Sequence, residues 1–376
     1  MVIVRNGHAW FLVLLFVLAF TSSVSLAATI EQETMNKLDQ IRSVKAGADE
    51  AATDRYNRQM DDAWKFFIAN KQSVLPILRK ELEVELKKTQ PNELVLLDIG
   101  NFVYLHGDSS DKNVAKHALF SVNTTADIVR ANYQQLFRFT HLVAGDRDPQ
   151  VLTFIDKTVL PTELKVFIPQ HYLKLDGTLM CVFLYGIYGP DAEGHLKTKL
   201  SDPRLARRVI ETLVWVGSPS SVQEVKRAML ANRDYETFTR ATAFMMQSGG
   251  PEGRATMLAI NPKDFDSDSQ QYYAKIRGAI EGQSYDALRK GFAGIPGDSK
   301  LSDQELKKRL TAMYANYGKD DKTSPEAILN SGLPKDFLIS ELTRIRSRMF
   351  YRISDEALSD VQVTNTLINT LLYSNK

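Results

Sequence analysis

The stretch SDPRLARRVIETLVWVGSPSSVQEVKRAML, residues 201–230, decides the fold. Asp202 before Pro203 reads as a helix N-cap followed by proline at the first helical position, where its missing N–H costs nothing. Val209, Ile210, Leu213, Val214 and Val216 then make one apolar face. Gly217 predicts a left-handed stop, and Ser218-Pro219 starts a second helix at once, with Val222, Val225, Ala228 and Met229 as its face. Two helices joined by so short a turn bury one face against each other. The remaining face needs a neighbour.

Neighbours with the same grammar lie on both sides. Residues 94–106 form an apolar run ended by Gly107, with a second helix expected near Lys112; residues 133–144 end at Gly145 before Asp148-Pro149. Residues 179–188 end at Gly189 before Pro190, and residues 238–248 end at Gly249-Gly250 before Pro251. The stop glycines fall 38, 44, 28 and 32 residues apart, a spacing that marks a helical repeat array. Asp202 with Arg207 and Arg208, Leu213, the Gly217-Ser218-Pro219 turn and the apolar run to Leu230 together resemble a HEAT repeat. Asp234 with Arg240 and Gly250-Pro251 repeats that pattern next door, and Ser73 to Leu82, with Pro76, resembles a HEAT second helix. Good matches cover about a third of the chain. The resemblance implies an all-α fold, a right-handed α-solenoid of antiparallel helix pairs, about eight of them, with second helices lining a concave face that binds partners.

Three runs compete for strand: residues 93–106, 179–188 and 165–173, the last carrying Pro169. Periodicity alone does not separate a buried helix from a strand over such lengths. The helical punctuation around them favours helix, and little or no sheet is expected. Four segments follow: a leader at 1–27, a polar arm or helix at 28–52, HEAT-like repeats at 53–262, and irregular helical repeats with a C-terminal cap at 263–376. In the last, Ser302 with Glu305 reads as a capping box; Gly318, Ser324-Pro325 and Gly332-Leu333-Pro334 read as helix boundaries. Residues 261–271 and 294–300 read as loops.

The leader has the three-part order of a secretory signal: Arg5, an apolar run from Ala9 to Phe20, and small residues before a cut between Ala27 and Ala28. A run of 12 residues is short for a membrane anchor. The expected location is therefore periplasmic or secreted, soluble after cleavage, with no stable membrane insertion. Lys and Arg number 47 against 45 Asp and Glu, so no global field draws the chain to nucleic acid or to an anionic membrane. Cys181 is the single cysteine; no disulfide framework can form within the chain, and its apolar setting reads as a small buried hydrophobe.

Catalytic and metal motifs are sparse. His106, His117, His141, His171 and His195 lack a second histidine at zinc spacing. His106 and His141 precede glycine stops in adjacent repeats and read as groups near helix C-termini. Asp264-Phe265-Asp266-Ser267-Asp268 has the alternating acids of a calcium loop, but Ser269 and Lys275 stand where the loop needs glycine and glutamate; the aspartates read as helix caps. Asn123-Thr124-Thr125 is a glycosylation triplet, read equally as a cap by Thr124 and Asp127. No nucleophile elbow, phosphate loop or dinucleotide fingerprint occurs, and no cofactor is expected. The second helices carry Lys112, Lys116, Lys157, Lys197, Lys199, Lys226, Arg227 and Arg254, a mildly basic set suited to an acidic peptide or glycan.

These features lead to an expectation of a non-catalytic scaffold or adaptor that binds a protein partner of the cell envelope, with a homo-oligomer possible. Two alternatives stand beside it: an enzyme acting on an envelope or extracellular polymer, and a self-assembling structural element. Acids, histidine and tyrosine converging in one pocket would favour the enzyme.

Overall fold

Thr34, Leu38 and Ile41 recur at helical spacing and are all buried, which sets the N-terminal end of the fold. They belong to a helix over residues 29–42 (α1) in a computed structural model that describes residues 29–44, 50–168, 173–281 and 334–373, with isolated positions 304, 308, 311, 312, 315 and 316. The leader and its Ala27/Ala28 junction lie outside the described residues, as do the capping box and boundaries expected over residues 302–333. The chain divides into two compact units, Met1–Leu142 and Val143–Lys376.

In the first unit, α1 is tied to α3 (Lys71–Leu86) by Arg42, whose guanidinium lies 2.8 Å from Glu81 and 3.6 Å from the buried Glu85. Helix α2 (Glu50–Ala69) presents Ala63 and Phe67 inward, and α3 presents Val74, Leu78 and Leu82. The next helix begins with a π-helical segment, Val95–Ile99, and continues as α4 (Gly100–His106). Then α5 (Ser109–Ser121) starts with a complete capping box between Asp108 and Asp111. Helix α4 packs on α3 and α5. Trp64, Phe67 and Phe102 meet edge to face, with centroids 5.1 and 5.5 Å apart, a geometry that adds to area burial. After α6 (Asp127–Ala131), α7 (Tyr133–Ala144) presents Leu136, Phe137 and Phe139 inward. The expected cap by Thr124 and Asp127 is not formed. Instead Asn123 accepts from Thr125, and Ala126 precedes α6 with no side-chain cap, because the asparagine carbonyl satisfies the turn first.

The second unit opens with α8 (Pro149–Thr158), capped by Asp148. Residues 165–173 depart from the helical expectation. Val166–Ile168 (β1) and Leu173–Leu175 (β2) pair antiparallel, Phe167 opposite Lys174, each strand alternating buried, exposed, buried. Proline at 169 would break a helix there, while a period of two places Val166, Ile168, Leu173 and Leu175 on one buried face. The two runs at 93–106 and 179–188 are helical, as their punctuation implies.

From there the pairs follow in order: α9 (Gly177–Tyr188) with α10 (Pro190–Lys197), α11 (Pro203–Val216) with α12 (Val222–Asn232), α13 (Tyr235–Gln247) with α14 (Gly250–Leu258), then α15 (Ser267–Ile280). Asp176, Asp202 and Asp234 N-cap α9, α11 and α13 through their carboxylates. Asp266 accepts from Ser269 at the start of α15, so this aspartate of the 264–268 run is a cap. The first helices pack in sequence, α9 on α11, α11 on α13, α13 on α15. A polar ladder joins them: Thr178 donates to Glu211 at 2.7 Å, and Arg240 pairs with the other Glu211 oxygen. Arg207 pairs with Glu236 alongside. The arginines of the repeat pattern thus bind across repeats.

Gly217 is not left-handed. It sits at φ −78°, ψ 179° and hands the chain directly to the extended Ser218 N-cap; a side chain there would meet the Leu213 carbonyl and the Phe244 ring. Left-handed backbone falls at Gly189, Gly250, Arg147 and Arg233.

The C-terminal pair, α16 (Lys335–Met349) and α17 (Asp355–Tyr373), returns across the array to α9, α11 and α14. It meets the helix ends at their orphan carbonyls. Arg346 donates to Val216 O at 2.7 Å and to Gly217 O, Asn365 donates to Trp215 O, and Asn369 donates to Gln247 O. Phe350 fills the notch left by Gly186. Arg346 is buried, and desolvation pushes its guanidinium down to about 10, opposed by the charge of Glu193. Glu193 is buried as well, its Oε1 accepting from Ser218 N and from the hydroxyls of Ser218, Ser220 and Ser221. Turn and clasp are therefore coupled through the buried charges of Glu193 and Arg346.

Candidate functional site

Asp156 on the last turns of α8 gathers three donors from two neighbouring segments. Its Oδ1 accepts from Tyr185 Oη of α9 at 2.7 Å. Its Oδ2 lies 2.8 Å from His195 Nε2 of α10 and 2.7 Å from Lys199 Nζ just beyond. His195 and Lys199 stand four apart and so share one face. The Tyr185 hydroxyl is held well above its ordinary pKa, first by burial and then by Cys181 and Asp156, so it remains a donor. Both oxygens of Asp156 are engaged. Three donors from α9, α10 and the turn beyond thus tie these elements to α8, and the carboxylate holds the His195 ring in place.

Beside this knot lies an open cavity of about 490 Å³. Leu160, Pro161 and Leu205 supply its apolar lining, and Asp156 and Glu163 its acids. Arg204, Arg207 and Arg208 project from the first two turns of α11. Arg208 is the anchored one: its Nη1 donates to Leu160 O at 2.7 Å and Thr162 O at 2.5 Å, and Nη2 to Glu163 at 2.8 Å. Gly177 makes room for it, since a side chain at that position would lie 2.8 Å from the Arg208 guanidinium carbon. Arg204 and Arg207 are outward, with side chains 87% and 47% exposed. Arg204 spends Nε and Nη2 on Asp202.

The eight basic residues anticipated from the second helices are divided between the two units, Lys112 and Lys116 in the first and the other six in the second. Lys112, on α5 of the first unit, sits 5.2 Å over the Tyr104 ring, with Lys116 on the same helix. In the second unit Lys157 is exposed at the end of α8. Lys197 donates to Ser220 O at 3.2 Å, and Lys199 is taken by Asp156. Arg227 pairs with Glu224 on α12 beside Lys226, and Arg254 donates to Ile280 O at 2.7 Å. Of the histidines, His106 packs on Phe102 with centroids 4.5 Å apart, and His141 lies near Phe137. Cys181 is fully buried in α9, and burial raises its thiol pKa far above the ordinary value. The helix holding the three arginines was in plain view in the sequence. Their convergence with Asp156 and Glu163 was not, because it depends on how the 159–165 segment crosses α11.

No protein-family model matches the chain, and neither a curated protein nor a solved structure is similar to it. The class is therefore set by the fold alone: an all-α protein with a single small hairpin among the described residues, its helices packed against one another in the manner of a helical-repeat architecture. No helix among the described residues is long and apolar enough to cross a membrane.

Proposed function

We propose that this protein is a non-catalytic scaffold of the HEAT-like, right-handed α-solenoid type, exported to the periplasm or beyond, that binds a protein partner of the cell envelope. The observation that supports this reading is the ladder through Thr178, Glu211 and Arg240 that joins α9, α11 and α13 in series. Arg240 is one of the arginines that suggested repeats in the sequence, and an array built this way offers an extended, semi-rigid surface. The test is capture of envelope proteins by the tagged full chain from crosslinked extract, against the K226E/R227E variant. A reproducible partner lost in the variant supports the reading; a clean monomer with no partner overturns it.

The Asp156, His195, Tyr185 and Lys199 cluster favours a second reading, an enzyme acting on an envelope polymer within the adjoining cavity. D156N separates the two. An enzyme would lose polymer turnover in that variant, whereas the scaffold has no turnover to lose.

A further inference from the structure

The cavity on α11 offers hydrogen-bond donors in excess of acceptors. A guanidinium carries five N–H donors. Arg204 spends two groups on Asp202, Arg207 is paired with Glu236 through Nη1, and both remain substantially exposed at the rim. Fewer acceptors stand open: Asp156 is taken by Tyr185, His195 and Lys199, and Glu163 Oε1 by Arg208, which leaves the second Glu163 oxygen. Formal charge near the cavity is balanced, because each of these arginines faces a carboxylate. The surplus is thus one of directed donors, not of net charge. Arg204 and Arg207 stand three apart on α11 and therefore point along one edge of the helix. Two planar forks one turn apart, above an apolar floor of Leu160, Pro161 and Leu205, match carboxylates flanked by short apolar chain.

We propose that this cavity binds an acidic peptide segment, with Arg204 and Arg207 each forking a carboxylate and the floor taking the intervening backbone and methylenes. The inference rests on the scaffold reading and adds to it a second contact of stated chemistry, on α11, apart from the Lys226 and Arg227 positions of α12. Arg208 is a positioning residue: it holds the 160–163 segment as one wall and does not face the ligand with free donors. Because the charges are balanced, affinity depends on the fork geometry more than on long-range attraction, and salt should weaken it only modestly.

Isothermal titration of the purified full chain tests this with a blocked tetrapeptide bearing two central glutamates, its glutamine counterpart, and an oligogalacturonate of similar charge. The expected result is glutamate-peptide binding about tenfold tighter than the glutamine peptide, and weakening of about fivefold or more in R204K/R207K, which keeps charge but loses the fork. Both positions are exposed enough that the variant should keep the wild-type melting temperature, and circular dichroism checks this. Equal binding of the two peptides overturns the proposal. So does wild-type affinity in R204K/R207K, or binding of the oligogalacturonate with none of the peptide. If the peptide fails while the wild-type chain still captures an envelope partner, this inference falls and the scaffold reading stands.

Discussion

Individual residues carry the sharpest expectations. Cys181 lies inside α9 with no exposed surface, and burial disfavours its thiolate; since the thiolate is the reactive form, alkylation by iodoacetamide in the native protein should be negligible and become complete only after denaturation. Rapid native labelling would contradict that placement. His106 is a different case. Burial and the nearby charge of Lys71 lower its pKa below the ordinary value, so the unfolded chain takes up the proton more readily than the folded one. Stability held by neutral His106 is present at higher pH and declines as pH falls through about 6.5. H106F, which keeps a ring against Phe102 and Trp64, should flatten the acid limb of urea midpoints measured across pH. An unchanged slope would show that other groups set it. Gly177 makes a third test. G177A would press on the Thr162 carbonyl and the Arg208 guanidinium, lowering both stability and peptide affinity, whereas R204K/R207K should lower affinity alone.

At the scale of elements, the contact that closes the array is the clasp of α16 and α17. Truncating Arg346 to alanine would strip a buried donor from Val216 O, Gly217 O and Asn365 Oδ1 at once. Orphaned buried acceptors make a loss of about 3 kcal/mol the expected outcome in chemical denaturation. G186A should cost about 2 kcal/mol by driving a methyl into Phe350, and the double variant G186A/F350L should recover about half of it. Additive effects would mean the two residues do not meet. These elements also show how much could be read beforehand. The N-caps Asp148, Asp202 and Asp234 and the stops at Gly107, Gly189 and Gly217 were legible because capping chemistry is local. The α1 stripe of Thr34, Leu38 and Ile41 is faint in the sequence, since a threonine occupies one of its inward positions and the segment reads as polar. Strands of three residues, as in β1 and β2, carry little periodic signal, so the sequence around residues 165–173 favours helix. The clasp was invisible: Arg346 and Asn365 look like ordinary helix-surface residues until a partner more than a hundred residues earlier is known.

At the scale of the second unit, the clasp of α16 and α17 should make the α9 to α14 pairs one cooperative body. Repeat arrays alone are approximately sums of nearest-neighbour terms and can open from an end. A clasp that touches the ends of α9, α11 and α13 together replaces that local opening with a concerted one. The same rigidity should keep Asp156, Arg204, Arg207 and Arg208 in register, because α8, the 160–163 segment and α11 line the cavity and Tyr185 ties α8 to α9. Native-state hydrogen exchange on the full chain, comparing wild type with R346A, tests this most directly. Amides in α9, α11, α13, α16 and α17 are expected to exchange through a shared opening in the wild type and to lose protection together in R346A. Loss confined to α16 and α17, with α9 to α13 unchanged, would contradict it.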